Sequence, residues 1–178
     1  MLRWLSDRSL HVMMLAYFAA CSRGAGALEL EDVLWAIITE DQGRLPCFAG
    51  ALRGAGSRRV NLGWGGVFKT RRGARPEPRS PFFSSDVARE ALGRIEGSWG
   101  RPGRVPSAGE MAASDGVKRA LARASRVTRG LRRKRIEPLH LLEAIGADEG
   151  SKAGAILNDS GVTRDAILKA LRGDSDGS

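Results

Sequence analysis

Residues 6–37 read SDRSLHVMMLAYFAACSRGAGALELEDVLWAI, and residues 114–145 read SDGVKRALARASRVTRGLRRKRIEPLHLLEAI. A shift of 108 positions superimposes them without a gap, and the match extends over thirty-eight residues, of which seven are identical. The apolar positions also coincide, so that Val12 and Met13 fall on Ala120 and Leu121. An internal repeat of this kind predicts two copies of one supersecondary unit that pack on each other.

The second copy has the clearer helical pattern. Ser114 or Asp115 can cap a helix, because a short polar side chain there accepts backbone N–H bonds. Apolar residues then recur at steps of three and four, which indicates one stripe of an amphipathic helix. This stripe consists of Val117, Ala120, Leu121, Ala124, Val127 and Leu131. Pro138 suits a first helical position, so Glu137 is expected to precede a second helix that continues to about Ile145.

The predicted fold class is all-α, a pseudo-twofold double repeat of a four-helix unit with an irregular basic insertion. The first repeat is expected at 1–53 and the second at 113–172, followed by a disordered tail at 173–178. Between them, residues 54–112 are rich in Gly, Arg and Pro, with one helix near 84–96. Within the repeats, further helices are predicted at 7–22, 30–39, 46–53, 153–158 and 165–171. Inside the insertion, 60–68 suits a short hairpin and 97–109 a flexible stretch.

The positive charge is concentrated in the middle of the chain. The formal net charge is +9, and residues 44–135 alone hold twenty-two basic and six acidic side chains. Both ends are mildly acidic. Two interpretations remain open, a surface for a partner such as nucleic acid, or solvated arginine-rich faces without a partner.

The sequence offers no metal site, cofactor site or membrane segment. Cys21 and Cys47 form no C-x-x-C pair and have no ligand spacing to His11 or His140, so no metal is expected. Free thiols suit a reducing compartment, and a cytoplasmic protein is expected. The apolar run at 10–20 is too short to span a membrane and belongs to the repeat, so it is not interpreted as an export signal.

Catalysis is not expected either. The segment Gly63–Thr70, GWGGVFKT, imitates a phosphate-binding loop, but Phe68 stands where backbone N–H groups would need a glycine to close around phosphates. With two histidines and no nucleophile–base arrangement, no other catalytic set is evident. We therefore predict that the chain is not an enzyme.

Two signatures in each copy resemble the N-terminal domain of the Clp ATPases, the two-repeat substrate-receiving module of ClpA, ClpB and ClpC. The first is the capped start of the first helix, and the second is an Ile followed by a polar turn, Glu-His or Leu-His, and then Leu-Leu. They are found at Leu5–Ser9 and Ala113–Arg119, and at Leu28–Leu34, with Asp32 in place of the usual His, and Ile136–Leu142. The resemblance covers about 6–53 and 113–171. It implies a stand-alone Clp repeat domain without the ATPase modules.

The resemblance also implies candidate binding residues. In ClpC-like domains the helix cap and a Glu in the second helix help to form a pocket for phosphorylated arginine. Ser6 and Glu31 match these positions in the first copy, and Ser114 matches in the second, where Leu139 replaces the Glu. The alternative, which we favour, is that both serines are only helix caps and that Glu31 only complements the helix dipole.

Other residues allow both a functional and a structural interpretation. The basic turn Arg132, Arg133, Lys134 and Arg135 is a candidate partner surface. His140 is interpreted as satisfying a local hydrogen bond rather than as a ligand or switch, and Met13 and Met14 as core rather than a binding groove. The aromatic residues of the central region could contact a partner or could fold back on the core; they are Trp64, Phe68, Phe82, Phe83 and Trp99.

These observations predict a non-catalytic protein-binding module, an accessory or adaptor of a Clp chaperone–protease. Its expected partners are Clp ATPase or protease components, protein substrates, or peptides with phosphorylated arginine. The alternative is a nucleic-acid-associated protein that uses the basic centre. That alternative predicts binding that weakens steeply with salt.

Overall fold

The computed structural model describes residues 4–43, 81–99 and 111–173 of the chain. Seven helices lie in these ranges, and two short strands pair in parallel, Ala27 with Ala112 and Leu28 with Ala113. The helices are α1 (Asp7–Ser22), α2 (Leu30–Asp41), α3 (Ser85–Ser98), α4 (Asp115–Gly130), α5 (Pro138–Gly146), α6 (Lys152–Asp159) and α7 (Arg164–Gly173). The strands are β1 (Ala27–Leu28) and β2 (Ala112–Ala113). The all-α prediction is confirmed.

Several predictions from the sequence fall outside the described residues. They are the helix at 46–53, the hairpin at 60–68, the loop Gly63–Thr70 and the tail beyond residue 173. Trp64, Phe68 and Cys47 lie there as well. The boundaries proposed for the two repeats stay a prediction.

The two halves of the chain exchange backbone hydrogen bonds at the starts of their helices. The N–H of Ser6 donates to the carbonyl of Ile136, and the N–H of Ser114 donates to the carbonyl of Leu28, both at 3.0 Å. These two bonds are related by the 108-residue shift found in the sequence. In each case the residue that caps the first helix of one half is held against the residue before the second helix of the other half. The helix starts of the two halves therefore interlock.

The second helix of each half begins with a side chain that reaches back to its own N-cap. In α2, Asp32 accepts the N–H of Glu29 at 2.9 Å. In α5, Nδ1 of His140 accepts the N–H of Glu137 at 3.0 Å. Asp32 and His140 are at equivalent positions in the two halves. Two different residue types therefore accept the backbone N–H of the N-cap residue, which has no partner within the helix. The prediction of a local hydrogen bond for His140 is confirmed.

Helix α3 is longer than predicted because its end is packed. The sequence places a flexible stretch from Gly97, but the helix continues to Ser98. The ring of Trp99 then lies 5.9 Å from the ring of Trp35, whose Nε1 donates to Glu96 at 3.0 Å. These contacts with α2 offset the low helix propensity of glycine, and the helix ends two residues later than the sequence predicts.

The core is formed by the apolar faces of all the helices. Phe83, at the start of α3, is fully buried, and Phe82 and Trp99 pack against the core. For these three aromatic residues the core interpretation is confirmed. Helix α3 contacts both α2 and α6, and α5 contacts α2, α4, α6 and α7. The helix predicted inside the insertion is thus part of the common core.

Candidate protein-binding site

An apolar groove with a basic rim lies where the start of the chain meets α4. Two cavities of about 460 and 450 Å³ adjoin there, and they share Trp4, Ser125, Arg129 and Ile136. We call them together the Trp4 groove. Its other lining residues are Leu5, Met13, Leu121, Ala122, Arg126, Thr128, Arg133 and Lys134.

The groove has an apolar floor because equivalent residues of the two halves meet in it. Met13 in α1 and Leu121 in α4 are at positions related by the 108-residue shift, and both line the groove. Both are only partly buried, although they pack against the core. Trp4 has 54% of its surface exposed, and it is the one exposed large hydrophobic side chain among the described residues. The Trp4 groove is therefore taken as the candidate binding surface.

The two capping serines contact opposite halves of the chain. Oγ of Ser6 accepts the N–H of Ser9 at 3.2 Å and donates to Oε2 of Glu137 at 2.8 Å. Oγ of Ser114 accepts the N–H of Val117 at 3.4 Å. The helix-cap interpretation of both serines is confirmed. Their role in binding a ligand stays a prediction.

No hydrogen bond joins Ser6 and Glu31, the pair suggested by the first repeat, and their role as a site stays a prediction. Glu31 is in the first turn of α2 and is half-buried. Ser6 faces the start of α5, whereas the N–H of Ser114 bonds to Leu28, just before α2. The bond between Ser114 and Leu28 thus holds Ser114 near the start of α2, the helix that contains Glu31.

The four basic residues of the turn between α4 and α5 lie in different surroundings, and only some of them line the Trp4 groove. Arg133 and Lys134 line the Trp4 groove. The guanidinium of Arg135 lies 3.5 Å from the carboxylate of Asp7, and both side chains are exposed. Arg132 has a φ of 55°, which places it in the left-handed region. Only part of the predicted basic surface therefore lines the groove.

A second cavity, of about 550 Å³, lies between the N-terminal turn of α5 and the end of α2. Arg8 lines it and forms a two-point ion pair with Glu40, at 3.1 and 2.7 Å. Leu139, which stands where the resemblance would place a Glu, also lines it, as do Phe82 and Phe83. Its charges are of both signs and partly neutralise one another. This cavity is therefore a weaker candidate than the Trp4 groove.

Two buried titratable residues, Glu143 and His140, stabilise the helices around the candidate site. Glu143 is fully buried and accepts hydrogen bonds from Arg123 and Arg164 at 3.0–3.2 Å. Burial raises the pKa of Glu143, but the bonds from the two guanidinium groups outweigh it, so the pKa lies below its ordinary value. Burial lowers the pKa of His140. Among the described residues, no group of three or more His, Cys, Asp or Glu could hold a metal ion.

Sequence reasoning did not identify Trp4, which is the residue that defines the groove. The resemblance to a capped helix begins only at Leu5, one residue after Trp4. A tryptophan two residues before a helix cap is a visible signal. Its exposure, however, depends on where α4 lies, and α4 is more than one hundred residues away in the sequence.

Comparison with known proteins gives the fold. No protein-family model matches the sequence, and no curated protein matches it. Among solved structures, the chain is similar to the N-terminal domain of the ClpD chaperone of Arabidopsis thaliana, with a TM-score of 0.58 and 20% identity over 98% of this chain and 96% of that one. It is similar to the Hsp104 N-terminal domain of Candida albicans, with a TM-score of 0.59 and 15% identity over 94% and 88%.

The fold is that of a Clp N-terminal domain. A further structure with this likeness comes from preliminary structural investigations of a malarial protein secretion system, with a TM-score of 0.66 and 18% identity over 98% of this chain and 97% of that one. The alignments with the two Clp N-terminal domains cover 94–98% of this chain, and the resemblance inferred from the two signatures is confirmed. In the described part of this Clp-N-fold chain, no helix is long and apolar enough to cross a membrane.

Proposed function

We propose that this chain is a non-catalytic protein-binding module that acts as an accessory or adaptor of a Clp chaperone–protease in the cytoplasm. The observation that carries the proposal is the Trp4 groove, an exposed apolar surface on a fold shared with the N-terminal domains of Clp chaperones. An exposed aromatic residue over an apolar floor is a typical anchor for a protein partner.

A pull-down with the full chain as bait tests this proposal. Clp ATPase or protease subunits should be enriched by the wild type and lost with Trp4→Ala. A matched control is Arg89→Ala, because Arg89 is exposed on α3 and does not line the groove. Recovery of no Clp component, or equal recovery with Trp4→Ala, contradicts the proposed role.

Nucleic-acid binding is the second candidate function. It is supported by an exposed tryptophan beside the cationic side chains of Arg126, Arg129 and Lys134, since aromatic stacking and phosphate contacts together bind single strands. The affinity for an oligonucleotide would then fall steeply between low and physiological salt. Binding that does not depend on salt rejects this candidate.

Peptides that carry phosphorylated arginine are a further partner to test. The interlocked helix starts favour a site of Ser114 with Glu31, in which helix N–H groups would face phosphate and the carboxylate would face guanidinium. Titration of free phosphoarginine should show weaker binding to Glu31→Ala than to the wild type. Equal affinities would remove the site.

A further inference from the structure

Seven of the nine cationic residues of α4 and the following turn fall into two groups according to their ion pairs. Four of them form ion pairs: Lys118 with Asp115, Arg119 with Asp148, Arg123 with Glu143 and Arg135 with Asp7. Three others, Arg126, Arg129 and Lys134, are exposed and form no ion pair with any of the described residues. All three of these line the Trp4 groove. The groove is thus lined by three cationic side chains, Arg126, Arg129 and Lys134, that are not engaged in ion pairs within the described part of the chain.

The charge of the groove has one sign. No acidic side chain lines either of its two cavities. Arg126 and Arg129 are three residues apart on α4 and so lie on the same face, and Lys134 approaches from the turn. Arg129 is further oriented by a bond from its Nε to the carbonyl of Ser125 at 3.3 Å. A ligand that enters the apolar floor therefore meets a rim of positive charge.

We infer that the Trp4 groove selects acidic peptide segments, in which a large apolar side chain is flanked by carboxylates. This inference rests on the proposed function and specifies the ligand of the same site. The apolar side chain would occupy the floor between Trp4, Met13 and Leu121, and the carboxylates would bind the rim. Charge complementarity of this kind mainly determines which ligand is accepted, because like charges placed together are unfavourable.

A peptide fits the groove better than a nucleic acid does. Met13, Leu121 and Ile136 give the floor aliphatic surface, which suits an aliphatic or aromatic side chain. A nucleic-acid strand instead needs a cationic track along its backbone and several aromatic platforms. Among the described residues Trp4 is the one aromatic side chain that lines the groove.

The test uses the full chain and three labelled probes at physiological salt, followed by fluorescence anisotropy. The first is a twelve-residue peptide in which Leu and Phe alternate with pairs of Glu, the second replaces each Glu by Lys, and the third is an oligonucleotide of twelve thymidines. We expect the acidic peptide to bind at least about tenfold more tightly than the lysine peptide. Each exposed ion pair with the rim is weak, but several of them together give a difference in affinity of this size.

Substitutions in α4 and at Trp4 test whether the preference for the acidic peptide arises at the Trp4 groove. The double substitution Arg126→Glu with Arg129→Glu should abolish or invert the preference, whereas Trp4→Ala should weaken both peptides. The matched control is Lys118→Glu with Arg119→Glu, which changes the same charge on the same helix. These residues lie roughly 10 Å or more along α4 from the groove cations, beyond the Debye length, so the preference should remain. Circular dichroism verifies that each variant is folded.

Each outcome bears on a different claim. Equal affinity for the two peptides, with loss of both in Trp4→Ala, overturns the inference and leaves the protein-binding function standing. An oligonucleotide that binds more tightly than the acidic peptide overturns the inference in favour of nucleic acid. Peptide binding that is absent, or that Trp4→Ala leaves unchanged, contradicts both the inference and the proposed site.

Discussion

Gly24 and Arg132 have the same left-handed backbone conformation, with φ of 67° and 55°, at equivalent positions after α1 and α4. The surrounding hydrogen bonds also match. The N–H of Ala25 donates to the carbonyl of Ala20 at 2.9 Å, and that of Arg133 donates to Thr128 at 2.9 Å. Glycine adopts this conformation without a steric penalty, whereas arginine does not. One half thus uses the favoured residue, and the other half uses a strained one.

We predict that Arg132→Gly stabilises the protein. Relief of the left-handed strain should exceed the entropy that glycine gains in the unfolded chain, for a net gain of up to about 1 kcal/mol. Gly24→Ala should cost about 1 kcal/mol for the opposite reason. Urea unfolding of the two variants gives both free energies. A loss of stability in Arg132→Gly would show that the arginine side chain contributes more than its backbone costs.

Ser6→Ala should be more destabilising than Ser114→Ala. Both substitutions remove a helix cap, which costs about 1 kcal/mol. Ser6 also donates to Glu137 across the junction of the two halves, at 2.8 Å, so its loss should cost about 1 kcal/mol more. Thermal and urea unfolding measure the difference, with each serine serving as the control for the other. Equal costs would mean that the bond to Glu137 adds no stability.

Glu143→Ala should destabilise the protein by about 2 kcal/mol. The substitution leaves Arg123 and Arg164 without their shared carboxylate, and the loss is limited because both guanidinium groups are partly exposed. The control is Glu90→Ala, which removes an exposed i,i+4 pair with Arg94 and should cost less than about 0.5 kcal/mol. If the two substitutions lower the free energy of unfolding by similar amounts, the ion pairs of Glu143 contribute no more to stability than an exposed pair does.

The same carboxylate predicts sensitivity to strong acid. Because the folded-state pKa of Glu143 lies below its value in the unfolded chain, its contribution is complete above the unfolded pKa of about 4.3. The contribution is lost as the pH falls through the folded pKa. The free energy of unfolding of Glu143→Gln should therefore fall less between pH 5 and pH 3 than that of the wild type.

His140 predicts a second loss of stability in milder acid. Burial lowers its pKa, so the unfolded chain binds a proton first as the pH falls below about 6.5. Protonation of Nδ1 would also remove the acceptor for the N–H of Glu137. The free energy of unfolding should decrease from pH 6.5 to 5, and less so in His140→Asn, which keeps an acceptor without a titratable group. Parallel pH profiles for the two proteins would refute this.

Local features of the fold were accessible to sequence analysis because they depend on residues a few positions apart. The caps at Ser6, Ser84 and Ser114 and the return bond of His140 lie within one helical turn. The apolar stripe of α4 is likewise a pattern of three- and four-residue steps. These features occur in both copies of the repeat, 108 residues apart, and together they were enough to indicate the all-α Clp N-terminal fold.

The tertiary structure alone decided which residues of the two halves meet. Ser6 contacts Glu137 across 131 positions, and Trp4 shares its groove with Leu121 and Arg129. Nothing in a local pattern distinguishes Arg123, which is half-buried and paired with Glu143, from Arg126 or Arg129, which remain exposed on the same helix. The reason is physical: a side chain's exposure and ion pairs depend on what packs against its helix, and such long-range packing is not encoded in the spacing of neighbours.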